Sequence, residues 1–186
     1  IFLFLTWVPL YLLEARGMSL NAMGFAAAAP WVAVCLSVLI SGRLSDSLIV
    51  RGKNRFQARS IMAVAGLVCC GVLLYSGARA ATPGMSVILL SLAFGGLGFS
   101  ITASWTVCQD IGRGHAAGVV AWMQTWANMG RACAPLFTVV LVEWNGWASA
   151  LAGRSLQALV AAALWFLRTP DRAPPPPARQ RGLLDT

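Results

Sequence analysis

The stretch QTWANMGRACAP, residues 124–135, places a permanently charged arginine inside a long apolar run. Four of its residues stand at i, i+4, i+7 and i+11, a spacing that puts them on one face of an α-helix: Gln124, Asn128, Arg131 and Pro135. A guanidinium can hold a carboxylate through two parallel hydrogen bonds, which a lysine ammonium cannot do. We therefore expect an anion site on this face, with Arg131 as the carboxylate ligand and Asn128 and Gln124 beside it.

The position of Arg131 in the apolar run also allows structural roles. Its side chain could extend to the outer membrane surface, or it could bind helix carbonyls freed near Pro135. An arginine near the middle of a bilayer costs about 2.5–3.5 kcal/mol even on the lenient insertion scale. Since lipid cannot satisfy a guanidinium, we expect this face to point into the helix bundle or a watery cavity, where an anion meets the charge.

A second stripe with the same spacing lies earlier in the chain: Gly98, Thr102, Trp105 and Gln109. Trp105 offers a flat wall and one indole N–H, which suit a polyol or an aromatic ring. We expect Thr102 and Trp105 to line the same anion site, although ordinary core packing would produce the same stripe.

Two other features of the apolar runs have architectural interpretations. Gly95, Gly96 and Gly98 would permit close helix packing. Arg154 is expected to extend toward the outer membrane surface, with a position facing the cavity as the alternative.

The composition is that of an integral membrane protein. Of the 186 residues, 58% are hydrophobic and 11% are charged, whereas a soluble domain carries about 25% charged residues. The net charge of +8 comes from basic residues clustered between apolar runs, which is typical of cytoplasmic loops and argues against nucleic-acid binding.

The apolar runs predict an all-α fold with six membrane-spanning helices, near residues 1–13, 21–42, 60–78, 84–107, 116–141 and 146–167. The first run would rise only about 20 Å, short of the roughly 30 Å hydrocarbon core. We therefore expect the sequence to begin inside a transmembrane helix. Residues 1–167 form the predicted membrane unit, and residues 168–186 form a Pro/Arg-rich tail.

The distribution of basic residues predicts the orientation in the membrane. The connection at 43–59 and the tail hold most of them: Arg43, Arg51, Lys53, Arg55, Arg59, Arg168, Arg172, Arg179 and Arg181. The positive-inside rule places both segments in the cytoplasm. Four predicted spans separate them, and an even number returns the chain to the same side. We expect a multi-pass protein of the inner (plasma) membrane in contact with lipid.

The sequence offers no set of residues for metal or enzymatic chemistry. Its five cysteines lie in or beside apolar runs without metal-ligand spacing, and His115 is the single histidine. A membrane enzyme would need a nucleophile with a base, or a metal cluster, at membrane depth. We expect no metal, no cofactor and no enzymatic activity.

The connection at 43–59 carries the most specific motif in the chain. Gly42-Arg43-Leu44-Ser45-Asp46 precedes Arg51-Gly52-Lys53. Gly42 would let neighbouring helices approach, and Asp46 would lie at a helix end within reach of cations. A loop that is basic only because of the positive-inside rule is the simpler alternative.

The order G-x-L-S-D followed by R-G-K resembles the loop motif of the major facilitator superfamily, in its second occurrence between helices 8 and 9. Within that superfamily, the segments LTWVPLYLLEARGMS, GFAAAAP and SGRLSD resemble the anion:cation symporter family, which includes D-galactonate, glucarate and hexuronate transporters. The resemblance implies helices 7–12 of a twelve-helix fold, a six-helix half-bundle with its first helix truncated and the amino-terminal half missing. It also implies that Gly42, Asp46, Arg51, Gly52 and Lys53 act as a gate latch.

The resemblance also bears on the site. Galactonate-type transporters have a Trp five residues before an Asp at the end of helix 10, a spacing that Trp105 and Asp110 reproduce. MQTWANMGR matches their helix 11 segment, with Gln124 and Asn128 in place of two cavity-lining amides. Arg131 stands where those transporters have a small residue, so the resemblance does not indicate which sugar acid would bind. The coupling carboxylates of related proton symporters lie in the missing half.

The predicted function is secondary active transport of an organic anion, a sugar acid or other carboxylate, by proton-coupled symport and alternating access. Two alternatives remain open. Trp105, Trp122 and Trp126 could form an aromatic wall suited to an aromatic acid or a drug. A non-transporting sensor could retain the same fold.

Overall fold

The computed structural model of the protein describes residues 7–167, apart from the side chain of Arg113. This range contains five α-helices and no strand: α1 (Val8–Glu14), α2 (Leu20–Val50), α3 (Arg55–Ala78), α4 (Pro83–Gly112) and α5 (Ala116–Leu167), with a 3-10 turn at Arg113–His115. The helices α2 to α5 are long and apolar enough to cross a membrane. The all-helical prediction is confirmed. Residues 1–6 and the predicted tail at 168–186 lie outside the described residues.

The long helix α5 folds back on itself at Gly146, whose backbone is non-helical (φ 76°, ψ 176°). The guanidinium of Arg154 donates a 2.7 Å hydrogen bond to the hydroxyl of Thr138. In a straight helix these two residues would lie about 24 Å apart, beyond the reach of an arginine. Segments 116–145 and 147–167 are therefore antiparallel, and they contain the predicted spans 116–141 and 146–167.

The predicted connection at 43–59 is wrong in its extent. Helix α2 continues to Val50 and α3 begins at Arg55, so the non-helical turn covers only residues 51–54. The hydropathy of a sequence marks where the hydrocarbon ends, whereas a helix continues beyond it as long as nothing breaks the backbone hydrogen bonds. The polar residues of 43–46 are therefore helical. The helix ends at Val50, shortly before Gly52.

The helices α3 and α4 meet backbone to backbone at two glycines. A Cβ atom on Gly96 would lie 2.8 Å from the carbonyl oxygen of Gly66 and 3.0 Å from the backbone nitrogen of Cys70. A Cβ on Gly98 would collide with Ser37 of α2. The close packing predicted for this glycine cluster is confirmed, and α4 lies at the centre of the fold.

The short helix α1 packs on this centre through Val8, Tyr11 and Leu12, which are almost fully buried. The following loop is fixed by Arg16, whose guanidinium donates to the carbonyl oxygens at the end of α3: Gly77 (3.2 Å), Ala78 (3.2 Å) and Ala80 (2.8 Å). The last carbonyls of a helix have no partner within the helix, so this arginine satisfies them from outside.

Substitution of Gly96 by Ala tests the contact between α3 and α4. We expect Gly96→Ala to lower the free energy of unfolding by about 1–3 kcal/mol, because the added methyl group meets backbone atoms that cannot rotate away. The matched control is Gly84→Ala near the start of the same helix, where a Cβ has nothing within 4 Å and the change should stay within about 0.5 kcal/mol. Equilibrium unfolding in detergent measures both, and equal effects would contradict the packing.

Candidate functional site

The predicted anion ligand lies on segment 116–145 of α5. One guanidinium nitrogen of Arg131, Nη1, donates a 2.8 Å hydrogen bond to Oδ1 of Asn128, one helical turn earlier. Within the part of the chain that the structure describes, this is the single hydrogen bond of the Arg131 side chain. Because Asn128 uses its carbonyl oxygen here, its amide NH2 remains a donor. The pair therefore presents N–H groups only, which suits an anion.

The stripe that contains this pair is left uncovered by the other described helices. Asn128 is exposed, whereas Arg131 and Gln124 are partly exposed. In segment 116–145, Thr138 is the one buried residue. The helices of this chain pack on other surfaces, so the expectation that this face points into the helix bundle or a watery cavity stays a prediction. The face is accessible to a solute or to another protein surface.

Arg154 takes the structural role that was the alternative for Arg131. The Arg154 guanidinium donates to the carbonyl oxygen of Ala134, directly before Pro135, and to the Thr138 hydroxyl. It also donates a 2.8 Å bond to Oε1 of Gln157. The expectation that Arg154 extends to the membrane surface is therefore wrong, because the antiparallel segment offers acceptors nearby. Arg131 is not the residue that binds carbonyls beside Pro135.

Thr102 and Trp105 lie on α4, and the structure does not join them to the Arg131 pair by any hydrogen bond or ring contact among the described residues. Trp105 is 39% exposed. The Thr102 hydroxyl donates 3.0 Å to the carbonyl of Gly98 in its own helix. Thr102 also lines a cavity of about 70 Å³ together with Gly42 and Asp46. It thus lies beside the gate motif, and its role toward substrate stays a prediction.

The RGK part of the motif forms the end of α2. Gly52 has a left-handed backbone (φ 86°), its N–H donates to the carbonyl of Ile49 (3.0 Å), and the N–H of Lys53 donates to Leu48 (3.1 Å). These two bonds are those of a Schellman motif, in which glycine is favoured because it has no Cβ penalty. Gly52 therefore stops the helix, and Arg51 and Lys53 flank the stop on the exposed surface.

The close helix approach predicted at Gly42 is not seen among the described residues, and its role in the gate latch stays a prediction. A Cβ on this residue would have nothing within 4 Å, so no described helix approaches closely here. Asp46, one turn later, is exposed and lies inside α2 rather than at its end. Both residues border the small cavity, and Arg59 of α3 lines the same cavity.

An ion pair between Arg59 and Asp110 joins α3 to α4 beside this cavity. The Arg59 guanidinium also donates a 2.8 Å bond to the carbonyl oxygen of Thr106. From the sequence, Arg59 was assigned to the basic connection at 43–59, and Asp110 was compared with an Asp at the end of helix 10. This contact could have been predicted from the sequence, because opposite charges lie at the adjoining ends of two consecutive antiparallel helices.

Long apolar helices packed through glycines, with few charged groups away from the helix ends, define a multi-pass α-helical membrane protein. The sequence profile of the Major Facilitator Superfamily matches residues 2–184. The chain belongs to this superfamily.

Curated relatives place the chain close to transporters of organic anions. It is 31% identical over 147 residues to a probable galactarate/D-glucarate transporter of Bacillus subtilis, covering 78% of this chain and 32% of the relative. It is 30% identical over 170 residues to a D-galactonate transporter of Escherichia coli, covering 90% and 39%. A hexuronate transporter of Bacillus subtilis is 28% identical over 149 residues, with coverage of 78% and 35%. The chain thus spans about a third of the length of these relatives.

These relatives confirm the resemblance to the sugar-acid transporters. Together with the superfamily match, they point to a transporter rather than an enzyme.

The two glycines of the gate motif should respond oppositely to substitution. Gly52→Ala should lower the free energy of unfolding by about 1–2 kcal/mol, because alanine is strained at a φ of 86°. Gly42→Ala should be neutral or stabilising by up to about 1 kcal/mol, because the site is helical and open. Unfolding of both variants in the same detergent measures the difference, and a larger loss at Gly42 would contradict it.

A double-mutant cycle tests the ion pair between Arg59 and Asp110. We expect a coupling energy of about 1–3 kcal/mol from the two alanine variants and their combination, because both side chains are partly buried (17% and 35% exposed). The control cycle uses Arg43 and Asp46 on the exposed surface of α2, where about 0.5 kcal/mol or less is expected. Equal coupling in the two cycles would refute a specific pair.

Proposed function

We propose that this chain is the carboxy-terminal half of a secondary active transporter for an organic anion, a sugar acid or related carboxylate. The observation that carries the proposal is the accessible donor pair of Arg131 and Asn128 on a largely apolar helix. In this proposal the chain crosses the membrane six times, with α1 and the two segments of α5 as separate spans. The turn at 51–54 and the tail lie in the cytoplasm of a cell bounded by its inner (plasma) membrane.

The chemistry of the donor pair favours a carboxylate. A guanidinium carries five N–H donors, and Arg131 uses one of its nitrogens for the bond to Asn128. A planar carboxylate can accept two parallel bonds from the remaining fork, while the Asn128 amide donates to a neighbouring oxygen. Gln124 is one helical turn before Asn128 on the same face and adds a polar group for hydroxyl oxygens.

The relatives support a sugar acid as the carboxylate, since their names specify galactarate, D-glucarate, D-galactonate and hexuronate. Each of these molecules combines carboxylate and hydroxyl groups. Trp105, exposed on α4, would provide a flat wall for such a ligand, with Thr102 beside it. Coupling to protons is part of the proposal, and it would use carboxylates that related symporters carry in their other half.

Alternating access would come from rocking of this half against the amino-terminal half of the transporter. The broadly exposed surfaces of α2 and of segment 116–145 support this arrangement, because they leave an apolar area for a partner. Asp46, Arg51 and Lys53 would form the latch at the cytoplasmic edge. The pair of Arg59 and Asp110 would keep α3 and α4 together during the movement.

A second candidate substrate is an aromatic carboxylate. Trp122 and Trp126 lie on the same segment as Arg131 and form an edge-to-face pair with ring centroids 5.7 Å apart. Both rings are largely exposed, at 67% and 56%. An aromatic acid could stack on them while its carboxylate binds Arg131. A sensor without transport would show binding of the same acids and no flux.

Uptake by the full-length protein in proteoliposomes tests the role of Arg131. A panel of labelled sugar acids and aromatic carboxylates is offered under an inward proton gradient. We expect uptake of at least one sugar acid, and we expect Arg131→Ala and Arg131→Lys each to reduce it at least tenfold. The lysine variant keeps the charge but lacks the planar fork of the guanidinium. A loss of uptake in this variant therefore identifies two-point binding of the carboxylate.

The matched control is Arg79→Ala, since Arg79 is exposed at the end of α3, with its guanidinium over the Tyr75 ring. This variant should transport like the wild type, and all variants should elute as folded protein. Normal uptake in both Arg131 variants would refute the carboxylate site. Uptake of aromatic acids alone, lost in Trp126→Ala, would establish the second candidate.

A further inference from the structure

A long groove runs along one face of α3 toward the last turn of α5. Its volume is about 1170 Å³, and its walls are formed largely by aliphatic side chains of α3 and by Phe166 and Leu167. Lys53 lies at one end of the groove, and Ser60 lines it one to two turns further along. The proposed anion site on segment 116–145 contributes no residue to this lining.

The apolar wall has the length of one leaflet of a membrane. Ile61, Val64, Val68 and Val72 line the groove and share one face of α3, at i, i+3, i+7 and i+11. From Ile61 to Val72 the helix rises about 16 Å, and half of a hydrocarbon core is about 15 Å. Ile61, Val68 and Val72 are 41–52% exposed, so an extended apolar chain could contact them directly.

Two polar groups distinguish this groove from a plain surface facing lipid. Lys53 is exposed and forms no ion pair with any residue that the structure describes. The hydroxyl of Ser60 is buried, with 3% of the residue exposed, and has no hydrogen-bond partner within residues 7–167. Several other helical serines donate to the carbonyl one turn back, as Ser91 does to Val87 (2.7 Å) and Ser104 to Ser100 (2.8 Å).

A second apolar groove supplies a comparison within the same molecule. It has a volume of about 640 Å³, lies between α2, α3 and α4, and contains no charged residue among its described lining. Its serine, Ser37, donates a 2.8 Å bond to the carbonyl of Val34. Of these two grooves, the one at Lys53 alone contains both a cation without an ion pair and a hydroxyl without a hydrogen bond, counted among the described residues.

We propose that the groove along α3 binds one anionic membrane phospholipid. An acyl chain lies against Ile61, Val68 and Val72, the phosphate contacts Lys53, and an ester carbonyl of the lipid accepts the hydrogen bond that Ser60 leaves unmade. The charge of Lys53 selects an anionic headgroup over a zwitterionic one. This site shares Lys53 with the proposed latch, and it shares no residue with the proposed anion site.

Native mass spectrometry of the full-length protein tests the proposal with two probes, palmitoyl-oleoyl phosphatidylglycerol and palmitoyl-oleoyl phosphatidylcholine. We expect one retained phosphatidylglycerol, bound at least threefold more than phosphatidylcholine. Val68→Trp and Ile61→Trp should each fill the groove and reduce the retained lipid at least fivefold. Ser60→Ala should reduce retention of both lipids at least twofold, because it removes only the hydroxyl. Lys53→Ala should abolish the preference between the two lipids.

The controls match each change in size or charge. Val160→Trp introduces the same bulk at an equally exposed valine of α5 outside the groove. Arg43→Ala removes an exposed positive charge of α2. Both should retain phosphatidylglycerol like the wild type. Equal losses in Val68→Trp and Val160→Trp, or no preference between the lipids, would overturn the proposal. A dimer that dissociates in Val68→Trp would overturn it in favour of a second protein copy.

Discussion

The contact between the backbones of α3 and α4 at Gly66 and Gly96 is the constraint on which the other packing depends. With no side chain between them, the two helices form one rigid centre. The helix α1 packs on Leu90 and Phe94 of this centre, and α2 approaches at Gly98. Membrane helices gain little from the hydrophobic effect once they are in lipid, so small residues that bring backbones into van der Waals contact determine which helices associate.

The arginines of the apolar region differ in what their guanidinium groups bind. Arg16, Arg59 and Arg154 each donate to backbone carbonyls of a different helix segment, so their charge is used in holding segments together. Arg131 donates only to the side chain of Asn128 among the described residues. Arg131 lies on a stripe that the described helices leave uncovered, so its other N–H groups are available to a ligand.

Much of the fold could be predicted from hydropathy, because the bilayer imposes the length of each apolar run. The break at Gly146 coincides with the start of the last predicted span, 146–167, and the glycines near residue 96 were expected to pack closely. The end of α2 was missed because the polar residues 43–46 marked the edge of the hydrocarbon, while the helix itself continues to Val50 and is stopped by Gly52. The partners of Arg16 and Arg154 were missed because they are carbonyls, which every residue has and no sequence pattern distinguishes.

The sequence by itself determined the all-helical membrane class, the superfamily motif and the stripe that joins Gln124, Asn128 and Arg131, since all of these follow from local periodicity and residue type. Only the tertiary structure decided that Arg154, not Arg131, binds the carbonyl beside Pro135, that a Cβ on Gly42 would meet no atom of the described residues within 4 Å, and that Arg59 pairs with Asp110. The physical reason is that these outcomes depend on which segments the glycine contacts and the turn at Gly146 bring together. A distance between segments that lie far apart in the chain is not encoded in either segment alone.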